Sequence, residues 1–233
     1  MSMSDHSILF LSGAGLPAWI WEDVRRRLAD SHETQVAPRP AGEERGLRDY
    51  AKAAVDSVPT GRFTIVAHSA GGVVGAEIAR LVPERVAGFL GVSAIVPRPG
   101  NSFVTAMPIP NRWLLSAAMR LAGTRPPESA IRTALAHGLD GQLVDRLVAG
   151  FTPESQGYYR QRIGEQPWAG RRGYVATVRD RELPPALQER FSTNLEPGWR
   201  RELATGHLPM LEDPGALAET IALFVGSGPG SSG

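Results

Sequence analysis

Ser69 stands in the run Ala67-His68-Ser69-Ala70-Gly71-Gly72, between the apolar stretch Phe63-Thr64-Ile65-Val66-Ala67 and the segment Val73-Val74-Gly75-Ala76-Glu77-Ile78-Ala79. The order reads as strand, tight turn and helix, with a hydroxyl at the apex and small residues beside it. It follows the pattern G-x-S-x-G, with Ala67 in place of the first glycine. Such a turn pushes the serine out over the end of a sheet, where its oxygen can attack a carbonyl carbon. The plainer reading is a serine capping an ordinary helix. What separates the two is a set of partners. A serine hydroxyl is a weak nucleophile until a base takes its proton and an acid orients that base.

Five histidines are available. His6 lies in the N-terminal arm, His32 follows a helical stretch, His68 adjoins the serine, and His137 falls in a helical region. Only His207, in Thr205-Gly206-His207-Leu208-Pro209, follows the last stretch that reads as a strand, so it is the candidate base. Asp180 follows Tyr174-Val175-Ala176-Thr177-Val178-Arg179 and precedes Pro184-Pro185. It is the candidate acid, the alternative being an ordinary turn aspartate. Asp213, just before Pro214, reads as a cap for the last helix.

These side chains need a scaffold, and the hydrophobic pattern supplies one. Ile8-Leu9-Phe10-Leu11 is an apolar run of strand length ended by Ser12-Gly13-Ala14-Gly15. A helix over 19–28, a short strand at 34–37 and a helix over 47–58 follow. After the Ser69 helix, the stretch 86–96 contains another strand, with two more at 174–178 and 199–203 and a final helix over 215–225. Apolar strands alternating with helices predict an α/β fold, a mostly parallel sheet of about six strands with helices on both faces. Functional residues in such sheets gather at the carboxyl ends of the strands. Between Pro97 and Arg172 the alternation stops, leaving helix-like segments near 113–121, 128–136 and 142–149. The expected organisation is a core of 1–96 and 173–226, a helical insertion at 97–172, and a Gly/Ser-rich tail at 227–233.

Composition narrows the classes. A chain of 233 residues, 42% apolar and 21% charged, fits one domain with a sizeable core. The net charge is +1, and Arg25-Arg26-Arg27 shares its helix with Glu22, Asp23 and Asp30, so no nucleic-acid patch is expected. Lys52 is the single lysine. There is no cysteine, which excludes disulfides and thiolate metal sites and suits the cytoplasm. No apolar run approaches the ~20 residues of a membrane span, and the start does not read as a signal peptide.

Taken in chain order, serine then aspartate then histidine, these residues resemble the α/β-hydrolase superfamily. The Ser69 turn, the Asp180 position and the Gly206-His207 loop agree with it in three separate elements. The resemblance implies that 97–172 is a helical cap and that the sheet lacks the first antiparallel strands usual there. Within the superfamily, Leu11-Ser12-Gly13-Ala14-Gly15-Leu16-Pro17-Ala18-Trp19-Ile20-Trp21 resembles the group of plant methyl esterases and hydroxynitrile lyases. That likeness implies an oxyanion hole made by the Ala14 and Ala70 backbone N–H groups. Ser12 stands where the group has histidine. Gly13 stands where the lyases have threonine, and Leu208 where they have the lysine whose ammonium stabilises departing cyanide.

Gly13-Ala14-Gly15-Leu16-Pro17-Ala18 also matches the dinucleotide pattern G-x-G-x-x-A. A nucleotide site would need Asp or Glu at the end of the second strand. The chain offers Pro38-Arg39-Pro40, where Arg39 would suit only a 2′-phosphate. Arg48, not tyrosine, precedes Lys52 by four residues, so the Tyr-x-x-x-Lys reductase pattern is absent. The expectation is a cofactor-free, metal-free serine hydrolase using Ser69, His207 and Asp180 on a small apolar ester or thioester. Trp113, Met107, Met119, Phe151 and Leu208 are the expected pocket residues, among apolar cap residues that include Phe103, Leu114, Tyr158, Tyr159 and Trp168. The alternatives are a lyase, cyclase or acyltransferase on the same fold, or a catalytically silent receptor.

Overall fold

Alternating side chains decide the layers. On β1 (Ser7–Leu11), Ile8 and Phe10 join the apolar cluster on one face while Leu9 and Leu11 join the other, and all four are buried. The computed structural model describes residues 7–40, 44–165 and 168–226; the expected tail at 227–233 lies outside them. β2 (Thr34–Val36), β3 (Phe63–His68), β4 (Val86–Val92), β5 (Arg171–Thr177) and β6 (Trp199–Leu203) complete one sheet, ordered β2-β1-β3-β4-β5-β6. Every pairing is parallel, sharper than the mostly parallel sheet expected. β3 repeats the split, with Ile65 and Ala67 on one face and Val66 on the other. Burial on both faces is what a parallel sheet needs, and a fully buried Phe10 or Phe89 contributes about 1.5–3 kcal/mol.

The helices that cover the sheet are α1 (Glu22–Leu28), α2 (Leu47–Asp56) and α3 (Gly71–Leu81). Between β4 and β5 the described residues form no strand. They form α4 (Phe103–Ala106), α5 (Asn111–Ala122), α6 (Glu128–Ala130), α7 (Gly141–Gly150) and α8 (Gln156–Arg160). After β5 come α9 (Pro185–Leu195), α10 (Pro209–Glu212) and α11 (Pro214–Gly226). α1 and α11 pack on the Ile8/Phe10 face, whereas Leu47 and Tyr50 of α2, Val73 of α3 and Phe191 of α9 pack on the other.

Two predicted helices break into parts. The helix expected over 19–28 begins instead as a tighter 3₁₀ turn, Ala18–Trp21, before α1. That turn buries Ile20 and Trp21 together and brings Trp21 Nε1 to Ser12 Oγ at 3.0 Å. The helix expected over 128–136 is α6 followed by a π-helical turn, Ile131–Leu135, closed by the Ala136 N–H on the Ile131 carbonyl at 2.8 Å. The wider turn buries Ile131 and puts it, with Leu135, on the wall of the large cavity described below.

The sheet sets where chemistry can happen. The chain leaves β1 for β2 on one side and returns to β3 on the other, so the loops after β1 and β3 diverge at the carboxyl edge. Such a switch point leaves a crevice that helices do not fill. Ser12–Leu16 occupies one side of it and Ser69 the other.

Candidate active site

Ser69 has φ of 51°, a left-handed conformation that is uncommon for a residue other than glycine. The turn is held by its neighbours. The Ser69 N–H donates to the Val92 carbonyl at 3.3 Å, and the Ser69 carbonyl accepts from the Ile95 N–H at 2.8 Å. A Cβ at Gly71 would lie 2.5 Å from the Leu11 carbonyl oxygen, and one at Gly72 would lie 2.5 Å from that of Ile95. These two glycines let α3 start in contact with the ends of β1 and β4. Ser69 is half-buried, at the mouth of a cavity, and is not spent as an N-cap: Ala70 occupies the cap position of α3 with no side-chain hydrogen bond.

Asp180 lies in the turn after β5, which ends at Thr177, one residue before the expected Val178. Gln188 of α9 ends the strand by accepting the Thr177 N–H at 2.9 Å and donating to its carbonyl at 2.9 Å. Asp180 Oδ1 accepts the backbone N–H groups of Glu182 and Leu183 at 2.9 and 2.8 Å. Oδ2 accepts from Ser93 Oγ at 2.5 Å and Thr177 Oγ1 at 2.9 Å, and it lies 2.7 Å from His207 Nδ1. Burial alone would raise the pKa of this carboxyl. The hydrogen bond and charge of His207 outweigh it, aided by Ser93 and Leu183, and hold the group down at about 2. An ionised Asp180 surrounded by donors requires His207 to carry its proton on Nδ1. Nε2 is then the acceptor, and it makes no hydrogen bond among the described residues.

His68, fully buried, holds the other side of His207. Its Nε2 lies 2.8 Å from the His207 carbonyl, so that nitrogen carries the proton and donates. Burial, then the neighbouring His207, push its pKa down to about 3, which keeps the ring neutral. The two rings sit 4.7 Å apart.

Ser69 and His207 border one cavity of about 420 Å³ together with Ala14 and Ala70. Met107, Met119 and Phe151 line it, as do Phe103 and Tyr159. Two expected pocket residues lie elsewhere. Trp113 is 61% exposed on the outer face of α5, beside Leu114, because α5 is apolar on two faces and the one bearing Leu115 and Met119 turns inward. Leu208 is buried in the core cluster on the α1/α11 side, packed inward just after His207. Tyr158 and Trp168 also serve the core, Trp168 donating Nε1 to the Val86 carbonyl at 2.9 Å.

Charged groups at the cavity are few. Arg125 is committed to the Phe151 and Val148 carbonyls at 2.5 and 2.9 Å, and Glu182 contributes to the wall. Asp213 stays away and caps α11 through the Ala216 N–H at 2.9 Å. Among the described residues no group of three or more His, Asp or Glu side chains is arranged to hold a metal ion.

The residues that spacing alone did not reveal are Ser93, Thr177 and Gln188 around Asp180, and the carbonyl contact of His68. Ser93 carried one available signal: it directly follows the β4 run, where a second sharp turn at φ 43° is needed.

A parallel sheet with a strained serine turn at its switch point and an aspartate–histidine pair over the next strand ends defines a class of α/β fold. The chain belongs to the α/β hydrolase family, which it matches over residues 8–220. Solved structures agree on the fold. An extracellular α/β-hydrolase from a Paenibacillus species superimposes with a TM-score of 0.83 at 17% identity, over 94% of this chain and 98% of that one. A pyrethroid hydrolase from Sphingobium faniae gives 0.74 at 20% identity, over 95% and 98%. Tomato methylketone synthase I, as an H243A variant with β-ketoheptanoate, gives 0.76 at 14% identity, over 96% and 99%. No curated protein sequence matches the chain. Among the described residues no helix is long and apolar enough to cross a membrane.

Proposed function

We propose that the protein is a serine hydrolase that cleaves a small apolar carboxylic ester or thioester and needs no cofactor. The observation that carries this reading is the pairing of His207 with an ionised, fully hydrogen-bonded Asp180, with Nε2 left as an acceptor on a cavity shared with Ser69. Ser69 Oγ attacks the carbonyl carbon as Nε2 takes its proton, and Asp180 stabilises the imidazolium that results. The hydroxyl-to-imidazole hydrogen bond of such a pair tightens when substrate binds. The Ala14 and Ala70 N–H groups take the oxyanion, each such donor being worth about 3–4 kcal/mol in the transition state. The imidazolium then protonates the leaving alcohol or thiol, and water, activated by the same nitrogen, releases the acid.

The segment 97–172 acts as the cap that shapes the acyl and alcohol sites. Apolar walls, a committed Arg125 and the Glu182 carboxylate favour neutral, medium-length or aromatic esters over anionic ones. Leucine in place of lysine at position 208 favours hydrolysis over cyanide elimination, since that position supplies no ammonium beside His207. A fluorophosphonate probe should label the wild-type protein, and Ser69→Ala should abolish labelling and activated-ester turnover while remaining folded. A folded wild-type protein that neither labels nor cleaves short or medium esters sinks the reading in favour of a lyase, acyltransferase or receptor.

A further inference from the structure

The Ser12–Leu16 loop carries the Ala14 donor, yet packing alone does not hold it. A cavity of about 220 Å³ lies behind the loop, bordered by Ser12, Gly13 and Leu16 on one side and by Arg39, Tyr50 and Glu154 on the other. Polar contacts bridge that space. The Gly15 N–H donates to Glu154 Oε1 at 3.1 Å. Arg39 Nε donates to the same oxygen at 2.7 Å, and Arg39 Nη2 reaches the Leu16 carbonyl at 3.0 Å. Tyr50 donates its hydroxyl to Glu154 Oε2 at 2.7 Å. The Thr152 N–H donates to the Gly15 carbonyl at 3.0 Å. Glu154 is only 5% exposed, so its carboxylate is a buried hub rather than a surface group.

The contacts converge on one turn, over the successive peptides from Gly13 to Leu16. Gly15 N–H and C=O are both taken, the Leu16 C=O is taken, and the Leu16 N–H closes the turn on the Gly13 carbonyl at 3.1 Å. Ala14 is the single residue between these fixed points, so the direction of its N–H follows from theirs. Gly15 itself has φ of 79°, and a Cβ there would lie 2.0 Å from the Phe151 ring. The cap residues 151–155 therefore sit directly on the loop. A preorganised oxyanion-hole donor acts only when it is aimed at the position where the charge develops.

We propose that Glu154, held by Arg39 and Tyr50, is a positioning residue that aims the Ala14 N–H by clamping Gly15 and Leu16. The proposal rests on the serine-hydrolase reading for its catalytic consequence, but not for the clamp itself. Breaking the clamp should weaken transition-state stabilisation and leave the apolar cavity, hence ground-state binding, in place.

The test compares Glu154→Ala, Glu154→Gln and Arg39→Met with the wild-type protein. Glutamine keeps an acceptor oxygen for Gly15 and Arg39 and turns its amide to the Tyr50 oxygen. The expected result for Glu154→Ala is a fall in kcat of about 10–100-fold with KM within about threefold. A trifluoromethyl ketone inhibitor should weaken in proportion to kcat/KM. Glu154→Gln should recover to within about fivefold of wild type, and Arg39→Met should fall between the two. If Glu154→Ala does not fold, the Arg39→Met result decides. Amide hydrogen exchange at Gly15 should speed up at least tenfold in Glu154→Ala, with β1 amides unchanged and Glu154→Gln protected. Unchanged kcat, a loss carried by KM, or unaltered Gly15 exchange overturns the proposal. If the wild-type protein neither labels nor turns over ester, the hydrolase reading fails separately, and Gly15 exchange alone decides the clamp.

Discussion

Asp180→Asn should remove activity and acid-dependent stability together, for one geometric reason. Oδ1 faces two backbone N–H groups, so the asparagine must place its oxygen there. Its amide NH₂ then replaces Oδ2, facing Ser93, Thr177, Gln188 and His207 Nδ1. His207 can answer only by moving its proton to Nε2, which removes the base from the cavity side. The same tautomer reversal in another serine enzyme lowers turnover by about 10⁴-fold. The carboxyl falls from its ordinary 3.8 to about 2 on folding. That depression is worth about 2 kcal/mol to the folded state at neutral pH. A depressed carboxyl contributes fully above 3.8, and the contribution disappears as pH falls toward 2. Urea denaturation of both proteins from pH 7 to pH 2.5 should therefore show a gap that narrows only below about pH 4. Turnover of a p-nitrophenyl ester within tenfold of wild type, or stability curves that stay parallel into acid, would refute the argument.

Ser69→Gly should lose fluorophosphonate labelling yet unfold about 1 kcal/mol later than Ser69→Ala, because glycine relieves the left-handed φ of 51°. His68→Phe should cost about 1–3 kcal/mol in urea denaturation, since it strands the buried His207 carbonyl without its donor. Met119→Trp should cut kcat/KM for aromatic or long esters by about tenfold or more and spare acetate esters. Trp113→Ala, on the outer face of the same helix, should change turnover by no more than about twofold, and a larger change would mean the tryptophan reaches the substrate.

What could be read from the sequence was whatever shows as local spacing. The serine turn and the aspartate after the fifth strand each sit beside an apolar run that fixes their place at a strand end, whereas the histidine follows an edge strand, Trp199–Leu203, with three charged residues, and was placed by its order in the chain. Their supports were hidden because they are distant in the chain. Ser93 and Asp180 are 87 residues apart, and Gly15 and Glu154 are 139 apart. No local pattern marks such a partner. The segment 97–172 was hard to read for another reason. Both faces of α5 are apolar, so composition did not tell which one turns toward Ser69, and Trp113 went to the wrong side. Leu208 was misplaced because adjacency to His207 in sequence is not adjacency to the cavity: successive residues at a helix start point in different directions.

The pair of sharp turns at the ends of β3 and β4 bears on how such a site can be moved or altered. Ser69 and Ser93 both hold positive φ, and each turn is tied to the next strand: Ser69 to Val92 and Ile95, Ser93 to Val175. The serine turn is therefore not a detachable module. Transplanted onto another parallel sheet with only its own six residues, it would lose the neighbouring loop that keeps it bent and relax toward an ordinary helix start. A working graft would have to carry 67–72, 92–95 and the Val175 end of β5 as one unit, and mutations in the first two stretches should show strong non-additivity although they lie some twenty residues apart in the chain.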